Sequence, residues 1–271
     1  MKDRTESVRK GQEMAQKKKV KAKIVSQKQI AEQIYDLWLE TKLAKDAHPG
    51  QFVAVYPHDQ STLLPRPISI CEVSEDKKKL RLVYRVAGKG TAEFASYGAG
   101  DVLEILGVLG NGFPIDKAKG KQVFLIGGGI GIPPMLELAK QLHGKKQILL
   151  GYRDKDLFLQ EDLARYGDVY VATEDGSVGT QGNVMDIIKS YGLQADVIMA
   201  CGPMPMLRAI KKYAEEKEIK AYISLEERMA CGVGACLGCV CRTTKTDAHS
   251  HVHNARICTD GPVFEAREVD I

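Results

Sequence analysis

At residues 123–134 the chain reads Val-Phe-Leu-Ile-Gly-Gly-Gly-Ile-Gly-Ile-Pro-Pro, and the order apolar run, glycine turn, proline pair decides how the rest is read. Four apolar residues in a row suit a strand buried on both faces, as in a parallel sheet. Gly127, Gly128, Gly129 and Gly131 supply the turn, and the prolines open a helix. Neither frame completes G-x-G-x-x-G, because its last position is Ile132 or Pro134, and no Gly-Lys-Ser/Thr follows to make a P-loop. The setting is still that of a dinucleotide pyrophosphate site. A plain tight turn is the competing reading.

Downstream the alternation continues. Strands are predicted at 147–150, 168–173, 196–200 and 221–224, with a helix over 134–142 and helical stretches between the later strands. That pattern implies a parallel sheet covered on both faces. Such sheets bind ligands at the C-terminal ends of their strands. Cys201, Gly202 and Pro203 stand at one such end and Thr173-Glu174-Asp175-Gly176-Ser177 at another. Cys201 is therefore placed beside a nicotinamide, against the plainer role of a small buried apolar residue.

Upstream the texture is different. Short β-like segments at 20–25, 34–39, 51–55, 66–73, 80–86 and 101–106 are separated by turns such as Pro49-Gly50 and Gly110–Gly112. Six strands at this spacing predict a small antiparallel barrel, interrupted by a short helix at 91–97. Arg66-Pro67-Ile68-Ser69 puts a fork of donors beside a rigid proline at a strand end, suited to a phosphate. Ser69 is two residues past that proline and can meet a flat ligand on the barrel. Gly88-Lys89-Gly90-Thr91 leads into the short helix and is read either as an anion site or as a turn in which Thr91 caps the helix.

The third feature is Cys231-Gly-Val-Gly-Ala-Cys236-Leu-Gly-Cys239, with Cys258 nineteen positions on. C-x4-C-x2-C with a distal fourth Cys is the plant-type spacing of a [2Fe–2S] cluster. Structural zinc prefers a pair of C-x2–4-C knuckles, and disulfides are the remaining alternative. Five of the seven cysteines fall within 231–258, which suits a metal site better than a disulfide framework. Cys241 is read as a bystander. His249, His251 and His253 alternate as on one strand face, but four cysteines suffice and the histidines are placed in a hairpin loop.

Composition bounds the class. With 271 residues, 44% hydrophobic and 27% charged, the chain has room for two compact domains and a small module. No apolar run reaches the roughly 18 residues of a membrane span, and the N-terminus lacks an apolar leader. A cytoplasmic location with reduced thiols is expected. The net charge is +4, and residues 1–22 hold eight Lys/Arg against three Asp/Glu. No aromatics interleave there, so a solvated tail is expected and neither a nucleic acid nor a membrane as partner. Met14 is an alternative start.

Taken together the motifs resemble the ferredoxin-NADP reductase superfamily: Arg66–Ser69 its R-x-[YI]-S flavin motif, residues 107–113 (GVLGNGF) its G-P-L-G-N-G-F turn, residues 127–134 and 201–206 its pyridine-nucleotide motifs. The order of domains, with MACGVGACLGCVC at 229–241 and Cys258 followed by residues 259–264 (TDGPVF), resembles the electron-transfer subunits of class 1B dihydroorotate dehydrogenases over residues 20–271. The resemblance implies FAD on a β barrel (20–117), NAD(H) on a parallel-sheet α/β domain (118–224), a [2Fe–2S] cluster in a C-terminal module (225–271) and a tail (1–19). Arg66, Pro67, Ile68, Ser69, Val83, Tyr84, Arg85, Gly90 and Thr91 would hold FAD. Gly127, Gly128, Gly129, Gly131, Cys201, Gly202 and Pro203 would face NAD(H), and Cys231, Cys236, Cys239 and Cys258 would ligate the cluster.

The implied partner is an FMN-containing catalytic subunit that interconverts dihydroorotate and orotate in pyrimidine synthesis, two copies of each chain forming a heterotetramer. No catalytic acid or base for the pyrimidine is expected in this chain. NAD is preferred to NADP because Asp154 and Asp156 flank Arg153, the one nearby candidate for a 2′-phosphate. A stand-alone NAD(P)H:ferredoxin-type reductase, or a subunit of another NAD(P)H oxidoreductase complex, is the alternative.

Overall fold

The computed structural model describes residues 17–59, 61–244, 246 and 252–271. Met14, most of the basic tail, His249 and His251 lie outside the described residues.

The first unit is a closed six-stranded antiparallel barrel. Its strands are β1 (Lys18–Ala31), β2 (Ile34–Glu40), β3 (Phe52–Tyr56), β4 (Arg66–Val73), β5 (Lys79–Arg85) and β6 (Val102–Leu109), in spatial order β1-β2-β5-β4-β3-β6. Between β5 and β6 lies helix α1 (Lys89–Ala95). β1 starts earlier and runs longer than its sequence pattern suggests. Register shifts at Ile24/Ser26 and Gln29/Ala31 bend it, so that its first half pairs with β6 and its second with β2. A strand that serves two neighbours around a corner closes the barrel, and its polar outward face hid its length. Leu37, Leu39, Ile70, Leu80, Leu82, Leu103 and Ile105 fill the interior from alternate positions.

The second unit is a sheet of β7 (Val123–Gly128), β8 (Lys146–Tyr152), β9 (Asp168–Thr173), β10 (Thr180–Gln181), β11 (Val197–Cys201) and β12 (Lys220–Ser224). Helices α2 (Pro133–Gln141), α3 (Gln160–Ala164), α4 (Val184–Tyr191) and α5 (Met204–Glu216) cross over between strands. The order β10-β9-β8-β7-β11-β12 is parallel throughout and reverses at β7, so a crevice opens beside the glycine turn. Buried residues line both faces, as the apolar run at 123–126 requires.

α2 also ties the two units together. Glu137, 3% exposed, accepts a hydrogen bond from the Val73 N–H at 2.7 Å, and Lys140 donates to the Val73 carbonyl at 2.8 Å. The helix that starts at the nucleotide turn therefore ends its contacts on the strand that starts with Arg66.

The cysteine segment is less separate than the sequence suggests. β13 (Val240–Arg242) and β14 (Asn254–Arg256) form a two-stranded ladder. β15 (Val263–Glu265) then returns to the large sheet as its seventh strand, antiparallel to β12. Asn111 fixes the same return from the barrel side. Its Nδ2 donates to the carbonyls of Thr259 and Asp260, both at 3.0 Å, and its backbone N–H donates to Gly261 at 2.6 Å. The GVLGNGF turn thus holds the segment that follows Cys258.

Candidate functional site

A cleft of about 850 Å3 lies between the barrel, the end of β12 and the cysteine segment. Arg66, Pro67, Ile68, Ser69, Val83, Tyr84, Arg85 and Thr91 all line it, so residues up to 25 positions apart in sequence converge there; Gly90 does not line it, and Gly88 does. β4 and β5 are neighbours in the barrel, and α1 follows β5 directly; those two connections bring the set together.

The residues differ in what they offer. Arg66 lies over the start of α1, where a Cβ on Gly90 would stand 2.8 Å from its Nε; only glycine leaves the guanidinium there. Its Nη1 donates to the Leu64 carbonyl at 2.6 Å, which fixes the fork. The half-buried Ser69 hydroxyl has no partner among the described residues and is free for a ligand. The Tyr84 ring is 1% exposed and turned into the barrel, where its hydroxyl donates to Gln27 at 3.0 Å. Tyr84 serves the cleft through its backbone and by stiffening β5. Thr91 is also occupied: its hydroxyl accepts from the N–H groups of Ala87 and Gly88 and donates to the Gly88 carbonyl. It shapes the turn that presents Gly88 and Gly90.

The opposite wall was missed by sequence reasoning. Ser224–Met229, Ile257 and Pro262 line it, together with Ile130 from the glycine turn. The signal that could have found it is Glu226-Glu227-Arg228, a charged run directly after an apolar strand at the ligand edge. Glu226 lines the cleft and is exposed along it, with protein packed close around its carboxyl. Burial raises its carboxyl above the usual glutamate range, and Arg85 opposes that shift.

At the nucleotide edge, Cys201 stands in register with Gly127 on one side and Ser224 on the other. It is 1% exposed, and burial pushes its thiol up to about 12, so it is no nucleophile. A Cβ on Gly131 would meet the Cys201 carbonyl at 2.4 Å, and Gly202 and Pro203 press on Gly128 from the same turn. The two turns form one tight floor. Pro133 and Pro134 remove two N–H donors from the start of α2, and the Met135 N–H is taken by the Ile132 carbonyl. The start of α2 therefore offers few free N–H groups, and the glycine turn before it is the more open stretch of backbone. Beyond it, Asp175 is held below the usual aspartate range by the Ser177 hydroxyl and N–H, and its own N–H donates to the Arg153 carbonyl at 3.3 Å. Asp154, Asp156 and Asp175 thus stand around Arg153 at this edge of the sheet.

The four cysteines converge as two pairs. Cys236 is a neighbour of Cys231 and Cys239 of Cys258, and Cys231 lies close enough to Cys258 to interact electrostatically. Among the described residues no three metal-ligating side chains close around a single ion. Four thiols in two neighbouring pairs are the donor set a [2Fe–2S] cluster would take, two to each iron. The loop is also built for thiolate. Although burial acts the other way, the N–H groups of Val233, Cys236 and Ala235 and the Cys236 thiol hold Cys231 down to about 6. The Val233 and Gly238 N–H groups donate to the sulfurs of Cys231 and Cys236, both at 3.4 Å. Cys241 takes part in neither pair; burial raises its thiol to about 11.

Comparison with known proteins agrees with this geometry. Residues 226–270 match the family described as the iron-sulfur cluster binding domain of dihydroorotate dehydrogenase B. Among solved structures, an NADH-dependent reduced ferredoxin-NADP oxidoreductase superposes with a TM-score of 0.82 at 29% identity, over 92% of this chain and 89% of that one. A ferredoxin NADP+ reductase from Neisseria gonorrhoeae with bound FAD and NADP shares the fold at 17% identity and a TM-score of 0.62, over 73% of this chain and 91% of that one. The dihydroorotate dehydrogenase B (NAD(+)) electron transfer subunit of Bacillus mycoides strain KBAB4 is 47% identical over 253 residues, covering 91% of this chain and 96% of the relative. That of Listeria monocytogenes serotype 4a strain HCC23 is 44% identical over 254 residues, covering 92% and 98%. The barrel, the parallel sheet, the paired cysteines and these identities have one meaning: the chain belongs to the family of electron transfer subunits of NAD(+)-dependent dihydroorotate dehydrogenase B.

Proposed function

We propose that this chain passes electrons between NAD(H), FAD and a [2Fe–2S] cluster, to or from an FMN-containing dihydroorotate dehydrogenase catalytic subunit, two of each forming the complex in the cytoplasm. One observation carries the reading. The cleft is walled on one side by the flavin strands β4 and β5 and on the other by the peptide that leads into the cysteine loop.

When bound, FAD exchanges a hydride with NAD(H) and single electrons with the cluster, which is the conversion a pyrimidine dehydrogenase needs from NAD. The chain supplies placement. Arg66 and the turn of Gly88 to Thr91 hold the flavin phosphates, with the Arg66 fork locked on Leu64. Ser69 offers a free hydroxyl to the flavin ring. Cys201 and the glycines beneath it set how deeply the nicotinamide can descend. Asp154 and Asp175 disfavour a 2′-phosphate and so favour NAD. Glu226, held above the usual carboxyl range beside Arg85, is placed to exchange a proton in the cleft.

The partner is expected at the cysteine loop. Cys236 is exposed there, with Val233 44%, Leu237 61% and Val240 37% exposed around it. An apolar surface at the outlet of single electrons fits a redox partner. The test is gentle anaerobic purification from the native cells, with FAD, FMN, iron and sulfide measured and NADH-dependent orotate reduction assayed. Orotate turnover with a copurifying FMN protein supports the reading. NADH oxidation with FAD and cluster but no FMN partner would reassign the chain as a stand-alone reductase.

A further inference from the structure

Among the described residues, β4 has one stretch of edge that no strand covers. β3 pairs with it only from Arg66 to Ser69, and the Ile70 N–H still finds the Gln51 carbonyl at 3.0 Å. Beyond Ile70 a register shift against β5 turns the strand, and the Ser74 N–H donates back to the Lys79 carbonyl of β5 at 3.0 Å. Val73, one residue earlier, presents its N–H and its carbonyl on the opposite side, where a buried donor and acceptor must find partners. Helix α2 supplies both from one face, three residues apart. Glu137 Oε2 accepts from the N–H at 2.7 Å, while Lys140 Nζ donates to the carbonyl at 2.8 Å and to Glu72 at 3.3 Å. Gln141 donates to the second oxygen of Glu137 at 2.6 Å and so fixes the carboxyl.

We propose that Glu137 is a positioning residue for hydride transfer, which rests on the functional reading above: with Lys140 it fixes the glycine turn before α2 relative to the flavin residues at the start of β4. Two attachments to one residue set both the height and the rotation of the helix. Glu137 lies four residues into α2 from Pro133, about 6 Å along a rigid axis. On the other side, Val73 lies four residues along β4 from Ser69, about 13 Å. A shift at Val73 is therefore carried to the place where nicotinamide and flavin meet. The reaction breaks a C–H bond of NADH and delivers the hydrogen with its electron pair to the flavin, leaving NAD+ and the reduced flavin anion. Its rate depends steeply on the distance between the two rings, and a misplacement of about 1 Å costs roughly a hundredfold. Glu137 does not line the cleft and acts only through the helix and the strand.

The experiment uses the full chain loaded with FAD and cluster. It is mixed anaerobically with NADH, flavin bleaching is followed optically, and hydrogen exchange of the Val73 amide is measured separately. In Glu137→Ala the Val73 amide should lose its protection. The limiting bleaching rate at saturating NADH should fall roughly tenfold to a hundredfold, while the half-saturating NADH concentration stays within about twofold of the parent. FAD content and the EPR signal of the chemically reduced cluster should match the parent. Glu137→Gln keeps an oxygen for the Val73 N–H, and Gln141 can turn its amide to pair with the other end, so this variant should retain most of the rate. Lost Val73 protection with an unchanged limiting rate overturns the proposal, and so does a loss in Glu137→Gln as large as in Glu137→Ala. Where Glu137→Ala does not fold, Lys140→Met removes the second attachment alone. A limiting rate roughly threefold or more below the parent's supports the proposal there, and a rate equal to the parent's overturns it. If NADH does not bleach the flavin of the parent at all, the functional reading itself fails and the proposal falls with it.

Discussion

Arg81 of β5 donates to Asp162 of α3 at 2.9 Å, and this contact crosses from the barrel to the nucleotide unit. The same guanidinium holds Asp36 through two hydrogen bonds of 3.0 Å and Glu72 through one of 3.2 Å. Asp36 is 2% exposed, so its charge depends on Arg81. Burial alone would lower the Arg81 pKa, but Asp36 and Asp162 outweigh it and keep the group charged. Removing one partner of a buried pair costs about 3–5 kcal/mol, because the other charge is left uncompensated. Arg81→Met should therefore lower the thermal midpoint strongly. Asp162→Asn, which leaves Asp36 paired, should cost well under half as much. Calorimetry of both variants checks this, and equal losses would mean that the contact across the two units, not Asp36, dominates.

The Gly90–Arg66 packing makes a local prediction. In Gly90→Ala the new methyl meets the movable end of a side chain, so the fold should survive with a midpoint within a few degrees of the parent. The guanidinium must leave the place from which it is proposed to hold the flavin phosphates, and a lost charge-assisted contact is worth about 1.5–3 kcal/mol. FAD affinity, measured by flavin fluorescence, should fall roughly tenfold or more. An unchanged affinity would remove Arg66 from the phosphate site.

Gly131 presents the opposite case. Its missing Cβ faces backbone, the Cys201 carbonyl at 2.4 Å, and backbone cannot swing aside. Gly131→Ala should cost about 1–3 kcal/mol and raise the NADH concentration needed for flavin reduction, while the EPR signal of the chemically reduced cluster stays as in the parent. A changed cluster signal would show that the nucleotide turn and the cysteine segment are coupled more tightly than β15 alone explains.

Much of this was legible in the sequence where a pattern is local. Alternation gave the barrel strands, the apolar run at 123–126 gave a buried parallel strand, and cysteine spacing pointed to the cluster ligands. What was hidden depends on distant partners. β15 is three residues long and exists because β12 and Asn111 receive it. The Arg81 network joins residues 9, 45 and 81 positions apart, with no spacing to mark it. Thr91 and Tyr84 were read as ligand contacts because their positions are right, but hydrogen bonds to Gly88 and Gln27 use their hydroxyls for the scaffold. The cleft wall at 224–229 was invisible because a loop becomes a wall only once the barrel stands opposite it.

Glu226 supplies a pH signature. Its carboxyl titrates above the usual range in the folded chain because burial disfavours the charged form. The folded state therefore binds a proton there more tightly than the unfolded state does, and stability drawn from this group is lost as pH rises through the ordinary glutamate pKa toward the raised one. Glu226→Gln removes that loss. Because Glu226 is exposed along the cleft, solvent screens part of the effect. The variant should be slightly more stable than the parent at pH 7 and above, and the gain should shrink to nothing as the pH falls below the ordinary glutamate range. Arg85→Gln should act the other way by removing the one cation that offsets burial, lowering stability at neutral pH but not in acid. Thermal midpoints of the three proteins between pH 4 and pH 8 check both signs, with the window set by the ordinary carboxylate range. A gain for Glu226→Gln that is the same at every pH would mean that the carboxylate is not desolvated, and its place as a proton-exchanging group in the cleft would fall with it.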